Sequence, residues 1–481
     1  MKYLFSLLLF CFASNVQAQS VFYSPYEKFD LRGGDYYVVG KVGGLIYTYR
    51  AAAGSYFLDA WNDSMERQAT VILDFFPEKI YATKFIAYPD KIIVLFQANE
   101  HGRIIQQAAL LDAAGRLQGK VVKIDEAKAG FFGPSGDYFS IAFSEDRKRI
   151  VVYDARIKGS SLHLEQTTLD DNLQKLHHGV SDYNGENNLE ALPGLVDNAG
   201  TFYLPVITTV GSKDYADGVW LLALPENSNR LVAAELPLSG MYAKGLYLRA
   251  DNAAKRIYAG GFYSDKKAGN YEGVLFGQFR MDSGYRASGR LLPFDERLRM
   301  ASGVHNTRRA FNDYQTRQLI IRNDGGFVLA AEDYYMSVRS GLSPYGYYYS
   351  FYSPFMNTQN IREYHYGDVL ALSYNGEGQL LWNAFVRKDQ YSQEDGGVFS
   401  SYAFVNTGGA LGFLYNDFDV HRSRIMLSTI NDEGQVSMHP LDAAGASDPD
   451  WLARAGRQVS AHELIVPCVR RRQLCFAKVV F

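Results

Sequence analysis

One turn recurs along the chain and constrains the fold more than any other feature. An apolar run leads into a short cluster of Asp, Asn and Gly, and a second run follows. The copies are Leu110–Leu117, Thr168–Leu173, Leu224–Leu231, Arg280–Tyr285, Ser373–Leu380 and Ile430–Val436, with a weaker one at Ala60–Met65. Marked by Asp112, Asp170, Glu226, Asp282, Asn375 and Asp432, they stand 58, 56, 56, 93 and 57 residues apart. The long interval is one period plus an insertion. A fixed period of this size signals a repeat architecture, in which each unit buries its faces against its neighbours.

Each period holds four strand-like runs. In the second unit these are Tyr81–Ala87, Lys91–Ala98, Ile104–Leu111 and Leu117–Ile124; in the third, Asp137–Ser144, Arg149–Ala155, Leu162–Leu169 and Leu173–His178. No helical periodicity intervenes, and heavy use of Tyr (35) and Phe (30) favours strands. Four antiparallel strands per repeat describe a propeller blade, and seven turns predict an all-β, seven-bladed β-propeller with four-stranded antiparallel blades. The C-terminal hairpin Glu463–Phe481 lacks two strands of its own. Tyr36–Val42 and Leu45–Arg50 are expected to complete it, so that N- and C-terminal strands close the ring and hide its edges. Residues 19–481 then make a single domain. The rival is an outer-membrane barrel, since the chain is aromatic-rich and ends in Phe481. Charges on both alternating phases, as at Arg147–Arg149 and Lys255–Arg256, deny it a lipid-facing apolar band.

Residues 1–18 read as a secretory signal peptide: Lys2 supplies the positive start, Leu4–Ala13 the apolar stretch, and Val16-Gln17-Ala18 a small-x-small cleavage site. Phe10 before Cys11 argues against a lipoprotein. The apolar stretch is too short for a transmembrane helix, and no later segment is long enough. The chain is therefore expected in the periplasm or at the outer-membrane surface, with any membrane association peripheral. A net charge of −3 carries no electrostatic footprint for nucleic acid. Export leaves two cysteines, Cys468 and Cys475, on either side of the Arg470–Gln473 turn. A cross-strand disulfide suits an oxidising compartment; a pair of buried thiols is the alternative. Two cysteines fall short of a structural zinc site.

The segments Tyr37–Arg50, Ile86–Asp90, Lys388–Tyr391, Val405–Gly409, Ile465–Cys468 and Cys475–Lys478 together resemble an uncharacterised family of exported proteins of Gram-negative envelopes. The resemblance covers nearly the whole mature chain. It implies the compartment and carries over no functional residue.

The insertion, from about residue 334 to 366, is expected as a long loop between strands of the sixth blade. Long loops without regular structure are uncommon in compact domains and are often functional. Its rings Tyr345, Tyr347, Tyr348, Tyr349, Phe351, Tyr352 and Phe355 form the candidate binding set. Tyr offers wide amphipathic contact at little entropic cost; the alternative is a flap packed on the propeller's own face. Asp417, Asp419 and His421 alternate, so an extended chain aims all three to one side, yet a solvated strand end explains them better. His177-His178 reads as a surface turn, because neighbouring strand residues point to opposite faces. Arg470–Arg472 read as a solvated hairpin tip, and Trp382 as core. No Gly-x-Ser-x-Gly elbow, His-Glu-x-x-His pair or Walker loop occurs. The reading is a non-catalytic binding or scaffolding propeller of the cell envelope, without cofactor or metal, contacting a protein or glycan through the Tyr-rich loop. The alternative is a carbohydrate-active hydrolase or lyase with carboxylates gathered in the channel.

Overall fold

The computed structural model describes residues 20–31, 33–52, 54–128, 138–209, 215–341, 359–419, 422–441 and 449–481. The signal peptide expected at 1–18 lies outside them. Their strands fall into eight antiparallel sheets, most of four strands, in place of one closed sheet. The β-propeller is therefore present and the barrel excluded, but the ring has eight blades and not seven.

The first blade shows the pattern: Asp35–Val42, Leu45–Ala52, Ser55–Trp61 and Arg67–Ile72 pair in chain order, from the axis outward. Blades 2 to 7 occupy residues 80–128, 140–184, 188–235, 242–293, 314–393 and 402–440. First strands pack side by side around the axis, as Asp35–Val42 does on Ile80–Ala87 and Tyr242–Asp251 on Tyr314–Ile321. The core is correspondingly divided among the blade interfaces. Between blades 1 and 2 it holds Tyr47, Tyr49, Leu58, Phe85 and Phe96, all buried.

Blade 8 is assembled from both chain ends, as expected, but not from the N-terminal strands expected. Asp450–Trp451 and Arg457–Ser460 lie innermost, followed by Glu463–Arg470 and Gln473–Val480. The outer strand is Ser20–Tyr23, with Ser20 opposite Val480 and Tyr23 opposite Ala477. The runs at Tyr36–Val42 and Leu45–Arg50 instead begin blade 1. The miscount has a simple cause. The recurring turn joins a blade's third strand to its fourth, and in blade 8 those strands come from opposite ends of the chain. The closing blade has no such turn to count.

The turn itself is an Asx motif. Asp112 Oδ1 accepts from the amides of Ala114 and Arg116, both at 2.9 Å, and Asn62, Asp170, Asn375 and Asn431 repeat the arrangement. The side chain replaces a backbone acceptor, which is why Asp and Asn recur. The residue three places on is left-handed, filled by Gly115, Gly378 and Gly434 but also by Met65 and Leu173. Gly434 is needed twice over. Its φ is +81°, and a Cβ would stand 2.7 Å from the ring of Trp382, whose Nε1 donates to Asp432 O at 2.8 Å. Trp382 thus docks a blade onto the turn of the next. Gly434→Ala should cost about 2–4 kcal/mol, combining left-handed strain with ring displacement, read as a lower midpoint in urea at unchanged slope.

Cys468 and Cys475 stand directly opposite each other in the last hairpin, as the sequence suggests. Both are buried free thiols, so the anticipated disulfide is not formed in this structure. Burial, first, and the neighbouring Cys475 hold the Cys468 thiol well above the usual range. Arg471 and Arg472 are exposed at the hairpin tip.

Candidate functional site

The insertion is largely built as strand at its root, which corrects the expected loop. Phe327–Gly341 and Gln359–Tyr374 are the second and third strands of blade 6, and their pairing continues from Tyr334↔Tyr366 to Gly341↔Gln359. The rings Tyr345, Tyr347, Tyr348, Tyr349, Phe351, Tyr352 and Phe355 lie outside the described residues. After the fourth strand the chain returns, and Gln390–Gln393 pairs with Glu363–Tyr366 to make a three-stranded ribbon.

Pairing fixes which side chains share a face, because directly opposed residues project together. Tyr335 and Tyr391 both oppose His365. The three rings form a row: Tyr335 stacks on His365 at 4.3 Å between centroids, and His365 meets Tyr391 at 5.0 Å. Tyr335 and Tyr391 are 45% and 47% exposed, so the row faces solvent. Glu363 stands two residues further along, on the same face. Its carboxylate accepts from Ser337 Oγ at 3.1 Å, Tyr391 OH at 2.8 Å and Gln393 Nε2 at 3.1 Å. Flat rings beside a hydrogen-bonding carboxylate and amide suit a ligand with an apolar face and hydroxyl edges.

The opposite face is anchored to the propeller. Tyr334 and Tyr366 lie 4.6 Å apart, Arg317 stands over Tyr334 at 5.6 Å, and Arg454 donates to Tyr366 OH at 2.9 Å. Behind them lies a buried charge network. Lys388 Nζ is 2.8 Å from Glu332, which also receives Arg317 Nε at 3.1 Å and Ser401 Oγ at 2.8 Å. A β-bulge lets the ribbon gather so many carboxylates at its root: between the pairs Glu332↔Val369 and Tyr334↔Tyr366, Asp333 faces Gly367 and Asp368. Burial, then the negative charges of Asp313 and Asp368, raise the Asp333 carboxyl to about 6.

A folded pKa above the unfolded value means that the stabilisation by protonated Asp333 is complete below about pH 4. It is lost as pH rises through 6. Asp333→Asn should therefore raise the melting temperature at pH 8 and leave it nearly unchanged at pH 4. A uniform shift at both values would contradict the assignment.

The other candidates are scattered. Asp417 is half-buried opposite Arg424, while the Asp419 side chain and His421 lie outside the described residues. His177 contacts Asn229 at 2.8 Å, whereas His178 turns to the other face, toward Asp125 and Glu165. A cleft of about 800 Å³ opens beside the first strands of blades 2 to 4, with Lys84, Gln97, Tyr138 and Asp154 in its wall. Gln97 is occupied there by the backbone of Tyr138 and Phe139. Among the described residues no helix is long and apolar enough to cross a membrane.

Sequence reasoning missed His365, Glu363 and Tyr391. The expected insertion at 334–366 contains Glu363 and His365, but nothing local announces that Gln390–Gln393 returns to pair with them.

The fold and site define a propeller that carries an aromatic ribbon on one blade. No family model and no curated protein matches the chain. Among solved structures it is similar to prolyl oligopeptidase B from Galerina marginata, at 9% identity and a TM-score of 0.43 over 90% of this chain and 54% of that one. A protein from Lactobacillus plantarum follows at 10% identity and 0.36, covering 84% of this chain and 95% of that one. A polysaccharide lyase of family PL25, an ulvan lyase, stands at 10% and 0.36, covering 82% and 90%. The chain spans about half the length of the prolyl oligopeptidase it matches, 54%. None of the three reaches a TM-score of 0.5, and they carry no argument about its chemistry.

Proposed function

We propose that the chain is an exported, non-catalytic binding propeller of the cell envelope that captures a glycan on the ribbon of blade 6. The observation that carries this reading is the exposed row Tyr335–His365–Tyr391 with Glu363 beside it. Sugar rings present C–H faces to aromatic rings and hydroxyls to a carboxylate, and the row offers both at once. Its rigidity comes from the ladder on one side and the buried network on the other, so little entropy is lost on binding. Export would also place Cys468 and Cys475 in a compartment where the opposed thiols oxidise.

The test is co-sedimentation of the mature chain with purified peptidoglycan sacculi, together with affinity electrophoresis through gels containing lipopolysaccharide. Saturable retention by either glycan is expected. Retention by neither, with a stoichiometric envelope protein crosslinked instead, would replace the glycan with a protein partner. One observation favours the second reading, a carbohydrate-active enzyme: Asp333 holds its proton to about pH 6 at the ribbon root. Shortening of the retained glycan by the wild type and not by Asp333→Asn would establish it.

A further inference from the structure

We propose that Asp125, Glu165 and His178 form a site for a divalent transition-metal cation, zinc by its donor set, across the seam between blades 2 and 3. This goes beyond the ribbon and does not depend on it. The three residues bring one ligand atom each to within 4.8 Å of one another. Asp125 lies on the outermost strand of blade 2, Leu117–Lys128, where a register shift between Lys123 and Asp125 re-aims the side chain. Glu165 belongs to the third strand of blade 3, Ser161–Asp170, and His178 to the fourth, Lys175–Asn184. Thr167 opposes His178, so Thr167, His178 and Glu165, two residues back, share the face turned to blade 2.

The hydrogen bonds leave the ligand atoms available. Thr167 Oγ1 lies 3.3 Å from Asp125 Oδ2 and 3.0 Å from His178 Nδ1. A hydroxyl that donates to the carboxylate must accept from the imidazole, which puts the proton on Nδ1 and the lone pair on Nε2. That nitrogen faces Glu165 Oε1 at 3.7 Å, a contact between two acceptors until a cation or a proton joins them. The other Glu165 oxygen is held by Arg156 at 3.2 Å. A metal-bound histidine ordinarily has its second nitrogen fixed in this way, and here Thr167 passes the link on to a second ligand.

Charge balance points the same way. Asp154 stands directly opposite Glu165 in the blade 3 ladder, so three carboxylates gather at this seam. Among the described residues the one guanidinium facing them is Arg156, which holds Asp154 at 2.8 Å and Glu165, while the His163 imidazole is taken up by Asp182 at 2.8 Å. Lys175 is turned to the backbone oxygen of Ile124 and Lys123 to Glu126. Two carboxylates and an imidazole suit zinc at about 2.0–2.2 Å, with a position left for water. Small side-chain rotations close the remaining distance.

The test uses the mature, chelator-dialysed protein titrated with zinc chloride by calorimetry, with magnesium chloride as control. One zinc per chain at micromolar Kd is expected, with no magnesium heat. His178→Ala and Glu165→Gln should each weaken binding at least tenfold, while His163→Ala keeps it. All three positions are partly exposed, so the variants fold, which circular dichroism checks. X-ray absorption of the loaded protein should report one imidazole with oxygen ligands. Absence of saturable zinc binding, or binding unchanged in both ligand variants, overturns the site.

Discussion

Replacing Tyr335 and Tyr391 together by Ala should abolish retention on the glycan gel while leaving the propeller's melting temperature within a degree or two. Each ring is nearly half exposed, so little core is lost with it. Each is also an outer member of the row, so its removal strips the platform from both sides of His365. Truncating an aromatic anchor typically costs about 2 kcal/mol of binding, or roughly 30-fold, and the pair should exceed a hundredfold. Tyr391→Phe separates stacking from hydrogen bonding, because it keeps the ring and removes only the hydroxyl, which donates to Glu363 and accepts from Gln393. A loss of a few-fold is expected there. Undiminished retention by the double variant would show that the row is not the contact surface.

Lys388→Met should be among the most damaging single substitutions in the chain. The Lys388 and Glu332 side chains are 1% and 0% exposed and lie 2.8 Å apart. Removing the ammonium leaves Glu332 buried with Arg317 as its remaining cation, and breaking a buried pair costs about 3–5 kcal/mol. Lys388 also donates to Tyr366 O at 3.2 Å and Gln390 Oε1 at 3.1 Å, at the point where the third ribbon strand begins. The variant should therefore speed amide exchange in Gln390–Gln393 more than in the other blades. Lys388→Met combined with Glu332→Leu should recover most of the lost stability, because neither charge is then stranded. Equal damage in the single and double variants would show that packing, not charge, is what the site needs.

These expectations depend on geometry that the linear sequence discloses unevenly. The Asx turns were legible because their chemistry is local: Asp112 and Asn375 bond to amides two and four residues away. Four strands between such turns then follow from length and alternation alone. The opposition of Cys468 and Cys475 was legible for the same reason, since a short hairpin sets its own register. Trp382 illustrates the limit. It could be recognised as a packing residue, but its acceptor, Asp432 O, belongs to the next blade.

The sequence by itself therefore determined the repeating four-stranded unit, the turn that ends its third strand, and the place of the one large insertion. Local hydrogen bonds and side-chain alternation carry that information within a few residues. Only the tertiary structure decided that the blades number eight, because Ser20–Tyr23 meets Gln473–Val480 through ring closure between chain ends. It alone also brought Tyr391 to His365, Lys388 to Glu332, and His178 to Asp125. Each of those contacts is made between strands or blades far apart in sequence, where register, bulge and ring curvature choose the partner.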